Sequence, residues 1–369
     1  RPGIEAAYGD KLRPMDAFKD SAPAELVDCV GHDDLIVLMF TSGTTGRSKA
    51  VMLSERNFFT TVECQVKFGD AMLDYKHEHM PEDKNDVLSN FAILPLFHLG
   101  TFICLFVWAC KGWALNLSAD IRDFYRDLGL MHSDAIAVAP MLMEAIYKDV
   151  KRGRRARLNG VWNPCGSSAM FDGAMLAELA QQGMMITQVY GMTETCGDGI
   201  INYEQDEKHI RAVGKPDDHA EYKLDETGEI CIRGGCVMLG YYKDPEATAE
   251  VLDADGWFHT GDLARVDEDG FYYITGRKKN IIILDNGENV SPEELENLLS
   301  KCEAVKECIV REKGKKICAV IYCGEADQQT VRDFITETNR TLPLYKRMSA
   351  VEFSTEPLPR TGTGKLLRK

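Results

Sequence analysis

The sequence predicts an α/β protein whose large domain carries a β-rich layer and is followed by a small α+β domain. Three observations lead there. Short apolar runs alternate with segments of helical character as far as Tyr190, short strands punctuated by Gly and Asp take over after residue 210, and a capped helix start stands at Ser291. The 369 residues allow more than one domain, and 44% hydrophobic with 27% charged residues excludes wholesale disorder.

Residues 1–35 are mixed and acidic, broken by Pro14 and Pro23. Asp34 to Phe40 then runs apolar for a strand's length and stops at a Ser/Thr/Gly cluster. Ala50 to Leu53 returns to apolar character before a helix with Ser54 as its N-cap. Ile93-Leu94-Pro95 ends another apolar run. Leu99 to Cys110, the most apolar stretch, reads as a buried helix and falls short of the roughly 18 residues a membrane span needs. Asp134 to Ala139 reads as a strand, Met141 to Lys151 as a helix and Met184 to Tyr190 as a strand. Such alternation predicts parallel strands.

Farther on, Glu229 to Arg233, Phe271 to Ile274 and Asn280 to Leu284 read as short strands. Ser291-Pro-Glu-Glu opens a helix with Ser at the N-cap, Pro in the first turn and Glu three residues on. Strand-like runs follow from Val305 to Cys323, and a helix from Gln328 to Asn339. These readings divide the chain into a large domain over 1–276 and a small mobile one over 277–369, with the boundary near Gly276–Asn280.

Lys+Arg 43 against Asp+Glu 58 gives a net charge of −15, which argues against nonspecific nucleic-acid binding. Twelve cysteines are scattered without a Cys-x-x-Cys pair. Cys231/Cys236 and Cys318/Cys323 are spaced as on hydrophobic strands, so they read as thiols of a reducing cytosol and not as zinc knuckles. The opening Arg-Pro-Gly has neither an initiator Met nor a secretory apolar region, and reads as a fragment or a processed chain.

Chemistry concentrates in four segments. Thr41-Ser-Gly-Thr-Thr-Gly-Arg-Ser-Lys49 lies between two apolar runs. Its small residues let backbone N–H groups converge on an anion, its hydroxyls add donors, and Lys49 adds a charge, which together suit a polyphosphate. It is not a Walker A loop, because Ser48 stands where that motif needs its second Gly. Tyr190-Gly-Met-Thr-Glu-Thr195 follows a predicted strand and sets a hydroxyl beside a carboxylate, suited to a phosphate and to Mg²⁺. Thr260-Gly-Asp-Leu263 puts a carboxylate in a tight turn, and Pro359-Arg-Thr-Gly-Thr-Gly-Lys365 puts a lysine on a glycine-rich arm.

In this order the segments resemble the adenylate-forming superfamily of acyl-CoA synthetases, luciferases and peptide-synthetase adenylation domains. The resemblance runs from about Asp33 to the end. It implies ATP-dependent activation of a carboxylic, chiefly fatty, acid to an acyl-adenylate, then transfer to CoA with release of AMP and pyrophosphate. Acceptance by a carrier protein, or a catalytically impaired nucleotide-binding fragment, are the alternatives it leaves open. Thr41, Ser42, Gly43, Thr44, Thr45, Gly46 and Lys49 would handle the ATP phosphates. Gly166, Ser167 and Ser168 would line the adenine, with two serines as a departure from the family's pattern. Tyr190 and Gly191 would meet the base, Thr193 the phosphate, and Glu194 would hold Mg²⁺. Asp262 and Arg277 would bind the ribose hydroxyls, Lys279 would be the hinge, and Lys365 would reach the substrate carboxylate and α-phosphate. Gly287 would approach the CoA tunnel within a loop one residue longer than in many relatives. Phe97-His98 would flank the carboxylate pocket; amino-acid-activating relatives carry an Asp near there, so an acid without an α-amino group is implied. A substantial region ahead of the phosphate loop is also implied, where only residues 1–40 stand.

Other features read plainly. His77-Glu-His79 reads as part of a solvated helix or loop, and Lys151-Arg-Gly-Arg-Arg-Ala-Arg157 as a solvated helix terminus. Met141, Met143, Met184 and Met185 read as core. No nucleic-acid partner and no transmembrane segment is expected, and a cytoplasmic setting is.

Overall fold

The computed structural model describes residues 31–41, 48–118, 120–167, 171, 173–197, 199–284, 288–360 and 366–367. Strand β1 (Leu35–Thr41) pairs antiparallel with β2 (Lys49–Ser54), and helix α1 (Glu55–His79) follows at once. Ser54 caps that helix through a reciprocal pair: its hydroxyl accepts from Asn57 N at 3.3 Å, and its own N–H donates to Asn57 Oδ1 at 2.8 Å.

Strands and helices then alternate: β3 (Ser89–Ala92), α2 (Leu99–Cys110), β4 (Ala114–Leu117), α3 (Phe124–Leu130), β5 (Ala135–Val138), α4 (Pro140–Lys151), β6 (Asn163–Ser167), α5 (Gly173–Gln181), β7 (Thr187–Gly191) and β8 (Gly199–Asn202). These strands form one sheet in the order β4-β3-β5-β6-β7-β8, parallel except for the last pair. The α/β expectation of parallel strands with intervening helices therefore holds.

The β-rich layer comprises β9 (Ala220–Leu224), β10 (Glu229–Gly234), β11 (Gly240–Tyr241), α6 (Pro245–Ala249), β12 (Phe258–Val266) and β13 (Tyr272–Arg277). Four of its strands form an antiparallel sheet in the order β13-β12-β10-β9, while β11 joins β2. The C-terminal part contains β14 (Ile282–Ile283), β15 (Asn289–Val290), α7 (Pro292–Leu299), β16 (Glu307–Lys313), β17 (Lys316–Tyr322), α8 (Gln328–Thr341) and β18 (Ala350–Ser354). It has its own apolar core, including Val290, Leu295, Val310, Ile321 and Val331. Ser291 caps α7 as its sequence announces, accepting from Glu294 N at 3.4 Å.

A single buried carboxylate sets the start of three parallel strands. Asp134 Oδ2 accepts from both the N–H and the hydroxyl of Ser89 at 2.8 Å, and its Oδ1 accepts from Trp162 Nε1 at 3.0 Å. Its backbone N–H donates to Ser89 O at 2.8 Å, and its carbonyl accepts from Trp162 N at 2.9 Å. The N-terminal ends of β3, β5 and β6 are thereby fixed together.

Several local expectations change in the fold. The strand expected over Asn280–Leu284 shrinks to β14, because Lys278–Asn280 coil into a 3₁₀ turn. The expected Met184–Tyr190 strand starts only at Thr187, after a buried connection. Met143, Met184 and Met185 are core, but Met141 is 70% exposed: the inner face of α4 is set by Leu142, Met143, Ile146 and Val150. Only Cys231 and Cys318 of the two cysteine pairs lie on strands; Cys236 sits in a turn and Cys323 just past β17. The basic run is not simply solvated. Arg154 and Arg157 reach the buried Asp149 at 2.6 and 3.1 Å, and a buried carboxylate requires such partners.

Replacing Asp134 by Ala strands the Ser89 and Trp162 donors in the interior. The expected cost is about 3 kcal/mol, read as a lowered urea midpoint with an unchanged slope. A midpoint equal to that of the unaltered chain would show that these bonds do not hold the sheet together.

Candidate active site

Parallel strands end on the same edge of their sheet, and ligands in α/β proteins collect there. Gly166 and Ser167 close β6, Tyr190 and Gly191 close β7, and the 3₁₀ turn Thr193–Thr195 follows directly. That turn is tight: Gly197 N donates to Met192 O at 2.8 Å, and Cys196 adopts the left-handed conformation at φ 56°. His98 is exposed at the N-cap of α2, beside Phe97 at 80% exposure. The next residue, Leu99, lies 3.5 Å from where a Cβ on Gly197 would stand, so the start of α2 abuts the Thr193–Glu194 turn.

Two groups of the sequence-predicted residues meet. The first is Tyr190, Asp262 and Arg277. Asp262 and Arg277 are cross-strand partners on β12 and β13, with Arg277 Nε 2.5 Å from Asp262 Oδ1. Tyr190 donates its hydroxyl to Asp262 Oδ2 at 3.1 Å. Burial foremost, and then the Asp262 charge, push the Tyr190 phenol well above its usual pKa, so the hydroxyl remains a donor. The tight turn expected at Thr260–Leu263 is instead a distortion inside β12. Gly261 takes φ +72° there, and the β10–β12 pairing slips between Glu229 and Cys231. Such bulges re-aim side chains next to ligand sites.

The second group joins Lys49, at the end of the Ser/Thr/Gly segment, to the turn. Thr41 and Lys49 face each other across the β1–β2 pair, so the connection between them is the stretch the sequence assigns to phosphate. Lys49 Nζ stands 4.4 Å from the centroid of the Tyr241 ring. Tyr241 donates its hydroxyl to Glu194 Oε1 at 2.9 Å. Lys49, Tyr241 and Glu194 thus form one group and Tyr190, Asp262 and Arg277 another, and the short segment from Tyr190 to Glu194 connects them along the chain.

Lys279 is exposed in the 3₁₀ turn that leaves β13. The residues on either side of it are held to different parts of the chain. Lys278 Nζ lies 2.7 Å from Glu229 Oε2 of β10, whereas Asn280 Nδ2 donates to Glu293 Oε1 of α7 at 2.6 Å. A Cβ on Gly276 would stand 2.4 Å from Ser291 Oγ, so only glycine allows this approach. Ser42, Gly43, Thr44, Thr45, Gly46, Ser168, Gly287 and Lys365 lie outside the described residues.

A model described as AMP-binding enzyme matches residues 5–242, and one described as AMP-binding enzyme C-terminal domain matches residues 294–365. The chain belongs to the AMP-binding enzyme family. It is 30% identical to 4-coumarate–CoA ligase 3 of Oryza sativa subsp. japonica, over 95% of the chain and 66% of the relative. It is 32% identical to feruloyl-CoA synthase of Amycolatopsis sp, over 98% and 74%. For a long-chain-fatty-acid–CoA ligase of Salmonella typhimurium the identity is 30%, over 91% and 61%. The chain therefore spans about two thirds of the length of these relatives. Among solved structures it is similar to ATP-bound MatB from Rhodopseudomonas palustris, with a TM-score of 0.77 and 25% identity over 95% of this chain and 70% of that one.

In this AMP-binding enzyme, Glu194 fits a divalent cation. Tyr241 occupies one carboxylate oxygen, and among the described residues no Lys or Arg forms an ion pair with the other. A hard oxygen donor completed by substrate phosphates and water is the usual arrangement for Mg²⁺. Sequence reasoning missed Tyr241, and named Thr260 only as part of the Thr260–Leu263 segment; its hydroxyl accepts from Asp262 N at 3.1 Å. Nothing in the sequence beside Tyr241 marks it; only the fold shows that Gly240, at φ +134° with a Cβ position 2.8 Å from Thr248 Cγ2, fixes the backbone there by close packing.

Three other groups of His, Cys and Asp in this AMP-binding enzyme lie near one another: Cys64–Asp217–His219, Asp225–Cys231–His259 and His209–Asp267–Asp269. Each already has a lysine at one of its carboxylates, namely Lys67 on Asp217, Lys278 on Asp225 and Lys208 on Asp269. They are ion-pair clusters. His77 likewise pairs with Asp86 at 2.8 Å on the exposed end of α1.

His209 in the third cluster supplies a pH dependence. Its Nδ1 bonds Asp206 at 2.9 Å and its Nε2 bonds Asp269 at 3.1 Å, and the hydrogen bond to Asp206 chiefly raises its pKa. The stabilisation is fully present below the unfolded value of about 6.5 and is lost as pH rises through the higher folded pKa. Urea midpoints between about pH 6 and pH 8 are expected to fall with rising pH, with a flatter profile in His209→Gln. Parallel profiles would remove His209 as the source.

Proposed function

We propose that this chain carries out the adenylation chemistry of an acid–thiol ligase. The observation supporting the reading is that the short segment from Tyr190 to Glu194 joins two contact groups, Lys49–Tyr241–Glu194 and Tyr190–Asp262–Arg277. Together they offer a cation, a carboxylate suited to a metal and a carboxylate suited to hydroxyls. A nucleoside triphosphate presents phosphates, a metal and ribose hydroxyls to match.

The carboxylate oxygen of the acid attacks the α-phosphorus of ATP. The bond from that phosphorus to the bridging oxygen breaks, giving an acyl-adenylate and pyrophosphate. Lys49 and the phosphate-loop hydroxyls hold the departing pyrophosphate, Thr193 orients the α-phosphate, and Asp262 with Arg277 fixes the ribose. Glu194 would hold Mg²⁺, which would supply charge neutralisation at the phosphates. Lys365, brought in by the C-terminal domain, offsets the charge that develops at the attacked phosphorus. That domain then turns about Lys279. The CoA sulfur attacks the acyl carbon, its proton passes to solvent, and the acyl–oxygen bond breaks to release AMP.

The acid proposed is apolar and without an α-amino group. Phe97-His98 offers no carboxylate for an ammonium, and α2 behind it is rich in apolar side chains. Phe58, Phe102 and Phe106 form an edge-to-face trio there, with centroids 5.3–5.8 Å apart. Three of the similar proteins named above are, by name, ligases or synthases for 4-coumarate, ferulate and long-chain fatty acids, which carry aryl or alkyl bodies and no α-amino group.

Pyrophosphate release from Mg·ATP across short, medium, long-chain and aryl acids, with and without CoA, tests the proposal. Release is expected with one acid class, with thioester formed only when CoA is present. Lys365→Ala is expected to lower release by two orders of magnitude or more, about 3 kcal/mol of transition-state stabilisation. No acid-dependent release from the unaltered chain would overturn the reading.

A further inference from the structure

We propose that Tyr241 is a positioning residue for the metal-binding carboxylate and the phosphate-binding lysine together. The inference rests on the nucleotide-activating reading above, and extends it to a residue outside the motifs that suggested that reading.

The segment from Gly235 to Tyr242 is strapped to both sides of the site. At one end, Asn57 of α1 donates its side-chain amide to Gly235 O at 2.7 Å and to Val237 O at 2.8 Å. Leu239 N then donates to Met52 O at 3.0 Å and Tyr242 N to Ala50 O at 2.8 Å, so the segment extends the β1–β2 pair as β11. Tyr241 N is fixed in turn by Thr248 Oγ1 at 2.9 Å.

From this fixed backbone the segment grips Glu194 twice. Met238 N donates to the Glu194 carbonyl at 2.9 Å, and Tyr241 donates its hydroxyl to Oε1 at the same distance. The backbone bond places the residue and the side-chain bond orients the carboxylate. The opposite oxygen is thereby left for a cation. Tyr241 pairs with Val51, two residues from Lys49 on the same face of β2, which is why the Lys49 ammonium lies over its ring. One buried side chain therefore sets the spacing between a cation for phosphate and a carboxylate for metal.

The two contacts use different parts of the side chain, so they can be separated. Tyr241→Phe keeps the ring and deletes the bond to Glu194; Tyr241→Leu deletes both. ATP binding is measured by titration calorimetry on the full chain, once with Mg²⁺ and once in EDTA, with Glu194→Gln alongside. In Tyr241→Phe the gain in ATP affinity conferred by Mg²⁺ is expected to fall about tenfold, while affinity in EDTA stays unchanged. Tyr241→Leu is expected to weaken binding in EDTA as well.

A Mg²⁺ effect in Tyr241→Phe equal to that of the unaltered chain, with the effect lost in Glu194→Gln, overturns the proposal and leaves the functional reading standing. Loss of binding under both conditions with a lowered unfolding midpoint makes Tyr241 a packing residue and also overturns it. If the unaltered chain shows no Mg²⁺-dependent ATP binding, the functional reading falls and this inference falls with it.

Discussion

The arrangement depends on one buried carboxylate at the end of the parallel sheet opposite the site. Asp134 binds Ser89 and Trp162, and so fixes the starts of β3, β5 and β6 relative to one another. Strand length does the rest. These strands are four or five residues long, so their far ends are fixed to within a residue once their starts are fixed. The segments leading to Phe97-His98 and to Gly166-Ser167 therefore leave the sheet at set heights. β7 is carried in register by its pairing of Gln188 with Gly166, which sets the height of the Thr193–Glu194 turn.

The second sheet brings what the first lacks. Its buried face, with Ile230, Ile232, Ala264 and Tyr272, packs against Tyr190 and Ile200 of the parallel sheet's last strands. That apolar contact presses Asp262 against Tyr190. Apolar burial supplies the stability of the junction, and the polar bonds decide its geometry. An uncompensated carboxylate at that depth is costly, and Arg277 together with the Tyr190 hydroxyl satisfies Asp262 before any ligand arrives.

What the sequence revealed follows the range of the interactions involved. Helix caps act over three residues, so Ser54 and Ser291 were legible without any tertiary knowledge. The Tyr190–Thr195 segment was equally legible, because its hydroxyl and carboxylate are neighbours in the chain. Asp262 was recognised as a site residue but assigned to a turn, since Gly261 signals a bulge and a turn alike. Met141 was misassigned because an apolar run does not fix the rotational phase of a helix whose first turn protrudes. Arg154 and Arg157 read as solvated because nothing local reveals that Asp149 is buried. Tyr241 had no local signal of function at all: its two partners come from β2 and from the turn after β7, distant in sequence and joined only by the pairing of β11.

Glu229 shows how the two ends of the site are tied to the fold. It is buried on β10, and its two oxygens serve different neighbours. Oε1 accepts from Gly261 N at 2.7 Å, the residue whose left-handed backbone aims Asp262 inward. Oε2 lies 2.7 Å from Lys278 Nζ, at the start of the passage into the C-terminal part of the chain. A shift of Lys278 would leave Glu229 Oε2 with only His259 Nδ1, 3.5 Å away, and a shift of Glu229 withdraws the acceptor that holds the bulge. The orientation of Asp262 and the upstream anchor of the domain junction are consequently one structural unit. Asn280, held by Glu293 of α7, belongs to another. Lys279 stands between these two anchors, and β13 itself is tied to the start of α7, where Ser291 donates its hydroxyl to Thr275 O at 2.6 Å.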